Sequence, residues 1–306
     1  MDNSSLQAIS IKSIERRYSE LSSSILRTPT IKLSSPLLSN LIKDSELYMK
    51  LECFQHSGTF KARGALSATK QITEEDKKFG ITAASAGNHA IASAWAAKVE
   101  KLSAKVVMQT SANPFRVSLA KTFGAEIIMK EGGVATFAEA DRLMREENRT
   151  FIHPFEGINT TLGAAGVGLE LIDDHSDLDA VVVAVGGGGL MSGVAAAIKL
   201  RNRNCEVYAV EPIGANSMSQ SIKVGKPVTL NKIDTIADSL APPMALPFSY
   251  SVCEKFVDQF VTVTDDQICA GLSLLQEEAK LAVEPAAGAV VAAAIWPLNK
   301  KLIGKK

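Results

Sequence analysis

The chain has 306 residues, of which 46% are hydrophobic and 22% charged, and its 33 basic residues balance its 33 acidic ones. This length predicts about two domains, and the composition is that of an ordinary globular protein. Because a nucleic-acid surface needs a basic excess and anionic membranes attract basic segments, the zero net charge leads us to expect neither nucleic acid nor a membrane as a partner.

Short apolar runs alternate with helical patterns along the chain, which predicts an α/β fold. Strands are predicted at 47–51, 81–84, 104–108, 126–129, 180–185, 206–210 and 260–263, and amphipathic helices at 90–98, 114–123 and 136–148. This alternation is typical of βαβ units, so we expect mostly parallel, twisted sheets flanked by helices. The run AVVVAV at 180–185 is apolar on both faces, as in a strand that helices cover on both sides.

The predicted elements divide into two domains. Residues 54–148 form a small domain, and residues 1–53 and 149–306 combine into a large one. The four cysteines form no CxxC pair, which argues against a zinc site or a disulfide framework and fits a reducing compartment. The N-terminal MDNSSLQAIS lacks the basic and apolar regions of a secretory signal, and no apolar run reaches the length of about 18 residues that a membrane span needs. We therefore expect a cytoplasmic protein.

A lysine in a turn of small residues follows the first predicted strand, in the segment SGTFKARGA. Lys61 lies there at the start of a helix, where the positive end of the helix dipole lowers the pKa of an amine. A neutral amine is able to form a Schiff base with an aldehyde cofactor. Taken alone, such a lysine is more often a solvated surface residue.

Two further segments predict anion sites at the starts of helices. In ASAGNHA, which follows the run at 81–84, free backbone N–H groups suit a substrate carboxylate, although a simple helix cap is the commoner interpretation of that pattern. In VGGGGLMSG, four consecutive glycines separate a buried strand from a helix and suit a phosphate. The alternative for the glycines is a tight packing turn.

These three motifs, in this order, resemble the threonine/serine dehydratase and serine racemase group of enzymes that use pyridoxal phosphate. The weaker motifs AVEP at Glu211, TIADSL at Ile236 and VEPAAGA at Glu284 also follow in the order typical of that group. The resemblance runs from about Ile25 to the end of the chain. It implies the tryptophan synthase β-like fold (fold type II of the pyridoxal-phosphate enzymes), pyridoxal phosphate as cofactor, a small amino acid as substrate, and a homodimer.

The resemblance also implies a role for each matching position. Lys61 carries the cofactor and moves the Cα proton, Phe60 packs against the cofactor ring, Asn88 bonds the 3′-oxygen and Glu284 lies near the ring. The phosphate is implied to bind backbone N–H groups of Gly186, Gly187, Gly188, Gly189 and Leu190. The substrate carboxylate is implied to bind at Ser85, Gly87, Asn88 and His89.

The implied reaction is loss of water and ammonia from threonine or serine, giving a 2-oxo acid. Racemases of the group place a second serine after the first serine of the substrate loop, as a base on the opposite face. Here that position is Ala86, which cannot move a proton, so we expect elimination with little racemisation.

Three departures from the family pattern stand out. A metal site for Mg²⁺ or Ca²⁺ is implied at Glu211, Ala215 and Ser217, but the serine replaces an expected aspartate, which predicts weaker binding. The segment at 163–166 reads GAAG where relatives have GQGT, which predicts a lost polar contact. Relatives also carry a further strand whose side chain meets the pyridine nitrogen, and we find no counterpart of it before Lys306.

Three alternatives remain open. A nicotinamide-dependent oxidoreductase would explain the glycine loop and Glu211, but Met191 stands where its third glycine is needed. A β-replacement enzyme of the cysteine synthase type usually has threonines in that loop. A non-catalytic protein that kept the fold is the third. The sequence does not identify the β-hydroxy amino acid.

Overall fold

The N-terminal region combines a helix, a hairpin and a turn-rich segment. The computed structural model describes residues 6–34 and 36–306. Helix α1 (Ile11–Leu21) begins at a capping box formed by Ser10 and Ser13. Strands β1 (Thr30–Leu33) and β2 (Leu47–Lys50) pair antiparallel, with helix α2 (Pro36–Leu41) between them. Two short 3-10 turns then lead into helix α3 (Lys61–Thr69).

A four-stranded parallel sheet forms the middle of the chain, with the order β5-β4-β3-β6. The strands are β3 (Ile81–Ala84), β4 (Ala104–Gln109), β5 (Glu126–Lys130) and β6 (Thr150–Phe151). Helix α4 (Glu74–Lys77) precedes the sheet, and α5 (Asn88–Val99), α6 (Pro114–Thr122) and α7 (Gly132–Glu147) connect its strands. Every residue of β3 is buried, because helices cover both faces of this strand.

A three-stranded parallel sheet follows, with the order β7-β8-β9. Its strands are β7 (Ala180–Ala184), β8 (Glu206–Pro212) and β9 (Gln259–Val263). The helices around it are α8 (Ile158–Asp174), α9 (Gly189–Arg201), α10 (Ser217–Val224), α11 (Pro247–Phe256), α12 (Asp265–Glu278), α13 (Pro285–Ile295) and α14 (Asn299–Leu302). Val181 and Val183 pack into the core beneath α8 and α9, while Val182 packs on the α13 side. The predicted cover on both faces of this strand is therefore confirmed.

Helices α3, α8 and α9 cross at very short range. A Cβ atom on Gly163 would lie 2.5 Å from the carbonyl oxygen of Arg63, and one on Gly193 would lie 2.5 Å from the nitrogen of Ala165. The GAAG segment at 163–166 is thus a buried helix crossing, where close backbone approach requires small residues. Through this crossing, the helix that begins with Lys61 is packed against the two helices that precede and follow β7 in the chain.

A buried ionic cluster around Arg63 fixes the position of α3. The Arg63 guanidinium donates to both carboxylate oxygens of Glu170, at 2.7 and 3.0 Å, and to both of Glu52, at 2.8 Å each. The Lys50 ammonium lies 2.7 Å from the Glu170 carboxylate, and Arg63 and Glu170 have no exposed side-chain surface. Two cations and two anions thus balance one another, and the bidentate geometry fixes α3 relative to β2 and α8.

The predicted strands are all present, with ends that differ by at most two residues. Two strands were not predicted, β1 and the two-residue β6. Since β6 pairs with β3, a strand beyond the predicted boundary at residue 148 belongs to the four-stranded sheet. The two-domain division itself stays a prediction. Among the helices at residues 6–34 and 36–306, none is both long enough and apolar enough to cross a membrane.

Candidate active site

A cavity of about 860 Å³ lies where the carboxyl ends of β3 and β7 face each other. The residues that follow each strand line it, as expected for ligand sites in open parallel sheets. The cavity brings together every residue predicted to hold cofactor or substrate, namely Phe60, Lys61, Ser85, Gly87, Asn88, His89, Gly186, Gly187, Gly188, Gly189, Leu190 and Glu284. Their roles stay predictions, but their convergence on one space is an observation.

The Lys61 amine points into this cavity from the first residue of α3. The preceding turn is strained at Ser57, a non-glycine residue with a φ of 62°, while the φ of 76° at Gly58 is one that glycine adopts without strain. The Lys61 ammonium donates to the Pro154 carbonyl oxygen and lies 5.2 Å from the centroid of the Phe60 ring. Burial lowers the pKa of Lys61 to about 8, so a sizeable fraction of the amine is neutral near that pH. The sequence predicted the lowered pKa from the helix dipole, whereas in the structure desolvation is its cause.

The N-terminus of α5 forms one wall of the cavity. Its N-cap is Gly87, which has no side chain to cap the helix, and the Gly87 N–H donates to the Ser85 hydroxyl at 3.2 Å. The backbone N–H groups of Asn88 and His89 are therefore available to an anion. The His89 ring is not, because its Nε2–H donates to the Ile152 carbonyl oxygen at 2.7 Å. Burial lowers the pKa of His89 to about 3 and keeps this ring neutral.

The tetraglycine loop and the N-terminus of α9 form the opposite wall. No backbone N–H from Gly186 to Met191 donates to another group in the described parts of the chain, and Gly188 has a φ of 90°. Phe155 covers the loop, since a Cβ on Gly187 would lie 2.2 Å from the Phe155 Cγ and one on Gly189 would lie 2.8 Å from its Cα. The close packing of Phe155 thus explains why the loop consists of glycines. Its free N–H groups are available to bind an anion.

Polar side chains connect the two sides of the cavity. The Asn88 amide donates to both carboxylate oxygens of Glu284, at 2.8 and 2.9 Å. The Arg116 guanidinium lies 2.9 Å from the Asp238 carboxylate and 3.7 Å from that of Glu284. Arg116 also stands beside the start of α5, with Nη1 at 3.2 Å from the position of a Cβ on Gly87. Sequence reasoning missed Arg116, because a single arginine in a helix carries no motif.

The 153–156 segment was also missed. It follows β6, and its side chains and carbonyls contact both Lys61 and the tetraglycine loop. The signal available in the sequence was weak, a histidine and a proline just after a short apolar run. Its importance follows only from the tertiary structure.

The predicted metal site lies outside the cavity. Glu211 accepts hydrogen bonds from the backbone N–H groups of Met218 and Ser219, at 2.9 and 2.7 Å, and so caps α10. Burial raises the pKa of this carboxyl group to about 7. Ser217 is buried and its hydroxyl has no partner in the described residues. No cluster of three His, Cys, Asp or Glu side chains occurs in residues 6–34 and 36–306, and the set Glu211, Ala215 and Ser217 has one carboxylate, so metal binding there stays a prediction.

The residues of the cavity fit pyridoxal phosphate. A half-buried amine of lowered pKa suits its aldehyde, and the unbonded N–H groups of the glycine loop suit its phosphate. Phe60 offers an aromatic face next to the amine. All of these features are present with the side chains in the positions that the structure gives them.

Comparisons with known proteins agree with this fit. The family model described as "Pyridoxal-phosphate dependent enzyme" matches residues 21–306. Phenylserine dehydratase of Ralstonia pickettii is 44% identical over 257 residues, covering 84% of this chain and 79% of that protein. The catabolic L-threonine dehydratase TdcB of Staphylococcus aureus is 35% identical over 302 residues, covering 97% and 86%. The structure of maize serine racemase matches with a TM-score of 0.91 and 33% identity, covering 96% of this chain and 88% of that one.

Proposed function

The chain belongs to the pyridoxal-phosphate dependent enzymes, in the group of threonine/serine dehydratases and serine racemases, and from that premise we propose that it removes water and ammonia from a β-hydroxy amino acid. The observation that carries the proposal is the half-buried Lys61 amine, which has a lowered pKa and lies in a cavity between two uncapped helix N-termini. The product is a 2-oxo acid.

Different residues of the chain bind the cofactor, bind the substrate and transfer the proton. When bound, pyridoxal phosphate supplies an aldehyde for the amine and a ring that withdraws electrons from the substrate Cα. The N–H groups of Asn88 and His89 hold the substrate carboxylate, and those of the glycine loop hold the cofactor phosphate. Lys61, held by the Pro154 carbonyl, removes the proton from Cα as a neutral amine.

The atoms of the reaction balance without another reactant. Loss of the Cα proton and of the Cβ hydroxyl group gives one water molecule and an enamine. The enamine then takes up one water molecule and loses ammonia, which leaves the 2-oxo acid.

We propose threonine or serine as the substrate, with phenylserine as a second candidate. Phenylserine enters because a relative that shares 44% of its residues over 84% of this chain is named for that substrate. The aromatic side chains Phe137, His153 and Phe155 in the cavity wall also offer contacts to a phenyl group.

Racemisation is the competing activity within the group. On the assumption that the second base stands at the position after Ser85, Ala86 leaves the opposite face of the substrate without one. We therefore propose that elimination exceeds racemisation. A β-replacement activity has no observation in its favour here.

A keto-acid assay tests the proposal. Purified protein, supplied with pyridoxal phosphate and Mg²⁺, is offered threonine, serine and phenylserine, with Lys61→Ala as the matched inactive control. We expect a 2-oxo acid from at least one substrate, an absorbance band near 410 nm that borohydride removes, and loss of both in the variant. Turnover that survives in Lys61→Ala, or no turnover of any β-hydroxy amino acid by a protein that shows the band, would overturn the proposed function.

Two further properties stay predictions. We propose a homodimer and a cytoplasmic location, on the resemblance and on the sequence features given above. Size-exclusion chromatography with light scattering tests the first, and localisation of a fluorescent fusion tests the second.

A further inference from the structure

The 153–156 segment contacts both parts of the site that must act together. The Pro154 carbonyl oxygen accepts the hydrogen bond of the Lys61 ammonium. The next residue, Phe155, packs on the tetraglycine loop, so closely that a Cβ atom on Gly187 or Gly189 would collide with it. A shift of this short turn would therefore move the amine and the loop relative to each other.

One side chain holds the turn from within. The Nδ1 atom of His153 accepts the backbone N–H groups of Phe155, at 3.2 Å, and of Glu156, at 2.9 Å. An imidazole that accepts at Nδ1 carries its proton at Nε2 and is neutral. The His153 ring is itself wedged edge-on between the rings of Phe151 and Phe155, with centroids at 5.8 and 4.7 Å.

The far end of the turn is anchored to another helix. Glu156 accepts the N–H groups of Phe248, at 2.6 Å, and of Ser249, at 3.0 Å, and so caps the start of α11. The Ser249 hydroxyl also donates to Glu156, at 2.6 Å, and its Cβ lies 3.1 Å from the position of a Cβ on Gly188. Hydrogen bonds thus fix one end of the turn to the His153 ring and the other end to α11. The glycine loop contacts both Phe155 of the turn and Ser249 of α11.

We propose that His153 is a positioning residue, which sets the distance between the Lys61 amine and the tetraglycine loop through its two hydrogen bonds to the 153–156 turn. The proposal rests on the proposed function only in that Lys61 and the loop hold the same cofactor molecule. It requires an acceptor at the place of Nδ1, and it requires nothing of Nε2.

Burial and the positive charge of Lys61 support this assignment, because they lower the pKa of His153 to about 4. The ring therefore stays neutral, and Nδ1 stays an acceptor, throughout the pH range in which the Lys61 amine is active.

Three substitutions of one residue test the proposal. In His153→Asn the amide oxygen stands close to the place of Nδ1 and is able to accept the same N–H groups. In His153→Gln the oxygen lies one bond farther out, near the place of Nε2, and in His153→Ala no acceptor remains. The readouts are the dissociation constant of pyridoxal phosphate, the pH titration of the band near 410 nm, and the melting temperature.

We expect His153→Asn to bind pyridoxal phosphate within about threefold of the wild type. We expect His153→Gln and His153→Ala to bind it at least about tenfold more weakly and to titrate the band at a shifted pH, because loss of hydrogen bonds worth about 1 kcal/mol each has that effect. If His153→Ala fails to fold, the Asn and Gln variants still form the decisive pair. Equal behaviour of those two, whether both intact or both impaired, overturns the proposal, as does an intact Gln variant beside an impaired Asn variant.

The Lys61→Ala control separates this inference from the proposed function. If Lys61→Ala keeps the band near 410 nm, the proposed function fails. If Lys61→Ala loses the band while the Asn and Gln variants of His153 behave alike, only the positioning role fails.

Discussion

The two walls of the cavity meet the same need in different ways. Both are uncapped helix N-termini that follow a parallel strand, one at α5 and one at α9. The wall at α9 consists of buried backbone without a charged side chain, and Phe155 covers it. The wall at α5 is only partly buried and is bordered by Arg116, Asn88 and Glu284.

This difference indicates how a site separates a permanent ligand from a transient one. Backbone N–H groups fixed in a tight loop cannot adapt, which suits a phosphate that stays bound. Side-chain hydrogen bonds and ion pairs are able to exchange partners, which suits a substrate that enters and leaves. We therefore expect substitutions at α9 to affect cofactor retention and substitutions at α5 to affect the use of substrate.

The largest effect is expected at the rigid wall. In Gly187→Ala the new methyl group would stand 2.2 Å from the Phe155 Cγ, so the loop or the phenyl ring must move. We expect pyridoxal phosphate to bind at least about 100-fold more weakly, since a displacement of that size misaligns several phosphate hydrogen bonds at once. Fluorescence titration of the apoprotein measures the change.

The matched control is Gly133→Ala on α7. A Cβ there has its nearest neighbour, the Gln109 side chain, at 3.8 Å, which is ordinary contact. We expect this variant to bind the cofactor like the wild type. If Gly187→Ala did so as well, the α9 loop would not be the rigid wall described above.

A smaller effect is expected at the adaptable wall. In Arg116→Ala the cation beside the start of α5 is lost, so the KM for the amino acid should rise about tenfold, as expected for one charge-assisted hydrogen bond. Cofactor affinity should stay the same. Steady-state kinetics and cofactor titration measure both quantities. The control is Arg145→Ala, which removes an exposed ion pair on α7. A drop in cofactor affinity without a change in KM would contradict the division between the walls.

Acid should act on the cavity through two histidines, His89 on α5 and His153 in the turn that packs on the glycine loop. In the folded chain the pKa of His89 is about 3 and that of His153 about 4, both below the ordinary value of 6.5. Between pH 6.5 and those values the unfolded chain binds more protons, so the folded state loses stability as the pH falls through this range. From pH 7 to pH 5 we expect a loss of about 2 kcal/mol for each histidine.

Urea unfolding of the wild type and of His153→Asn at both pH values measures this. The variant lacks one of the two titrating rings, so its loss between pH 7 and pH 5 should be smaller by that amount. Glu211, whose pKa is raised to about 7, acts with the opposite sign and cancels in the comparison. Identical pH dependence in the two proteins would show that His153 titrates normally in the fold.

The smallest effect is expected from Ala86→Ser at the α5 wall. The substitution adds a hydroxyl group where the resemblance places the second base, so slow racemisation should appear beside elimination, at about 1% of its rate for a base without further tuning. Chiral chromatography of recovered serine detects it. Racemisation by the wild type at the rate of elimination would refute the argument from Ala86.

The sequence predicts much of this architecture because its strongest signals are local. The β-branched run of β7 and the glycines after it lie within ten residues of each other, and they define a strand, a loop and a helix start together. The two-residue β6 was missed because it has no periodicity, and it exists only because β3 offers it an edge.

What the sequence could not predict depends on contacts between distant residues. No local pattern around His153 predicts that its ring accepts two N–H groups. Nor does one predict that the Pro154 carbonyl accepts a hydrogen bond from the amine of Lys61, which is 93 residues away in the chain. The desolvation of Lys61 likewise requires the whole cavity to be assembled, whereas a helix dipole is visible from the local pattern. The family and its cofactor were therefore easier to predict than the contacts that hold the site in place.

The ionic cluster beneath α3 limits how the reactive lysine could be moved to another scaffold. Arg63 cannot be transferred without Glu52 and Glu170, because a guanidinium buried without its carboxylates costs about 3 to 5 kcal/mol. Glu170 in turn needs Lys50. A designer who wished to graft this amine would have to transplant four charged residues from three separate stretches of the chain, or replace all four together with apolar side chains of similar volume.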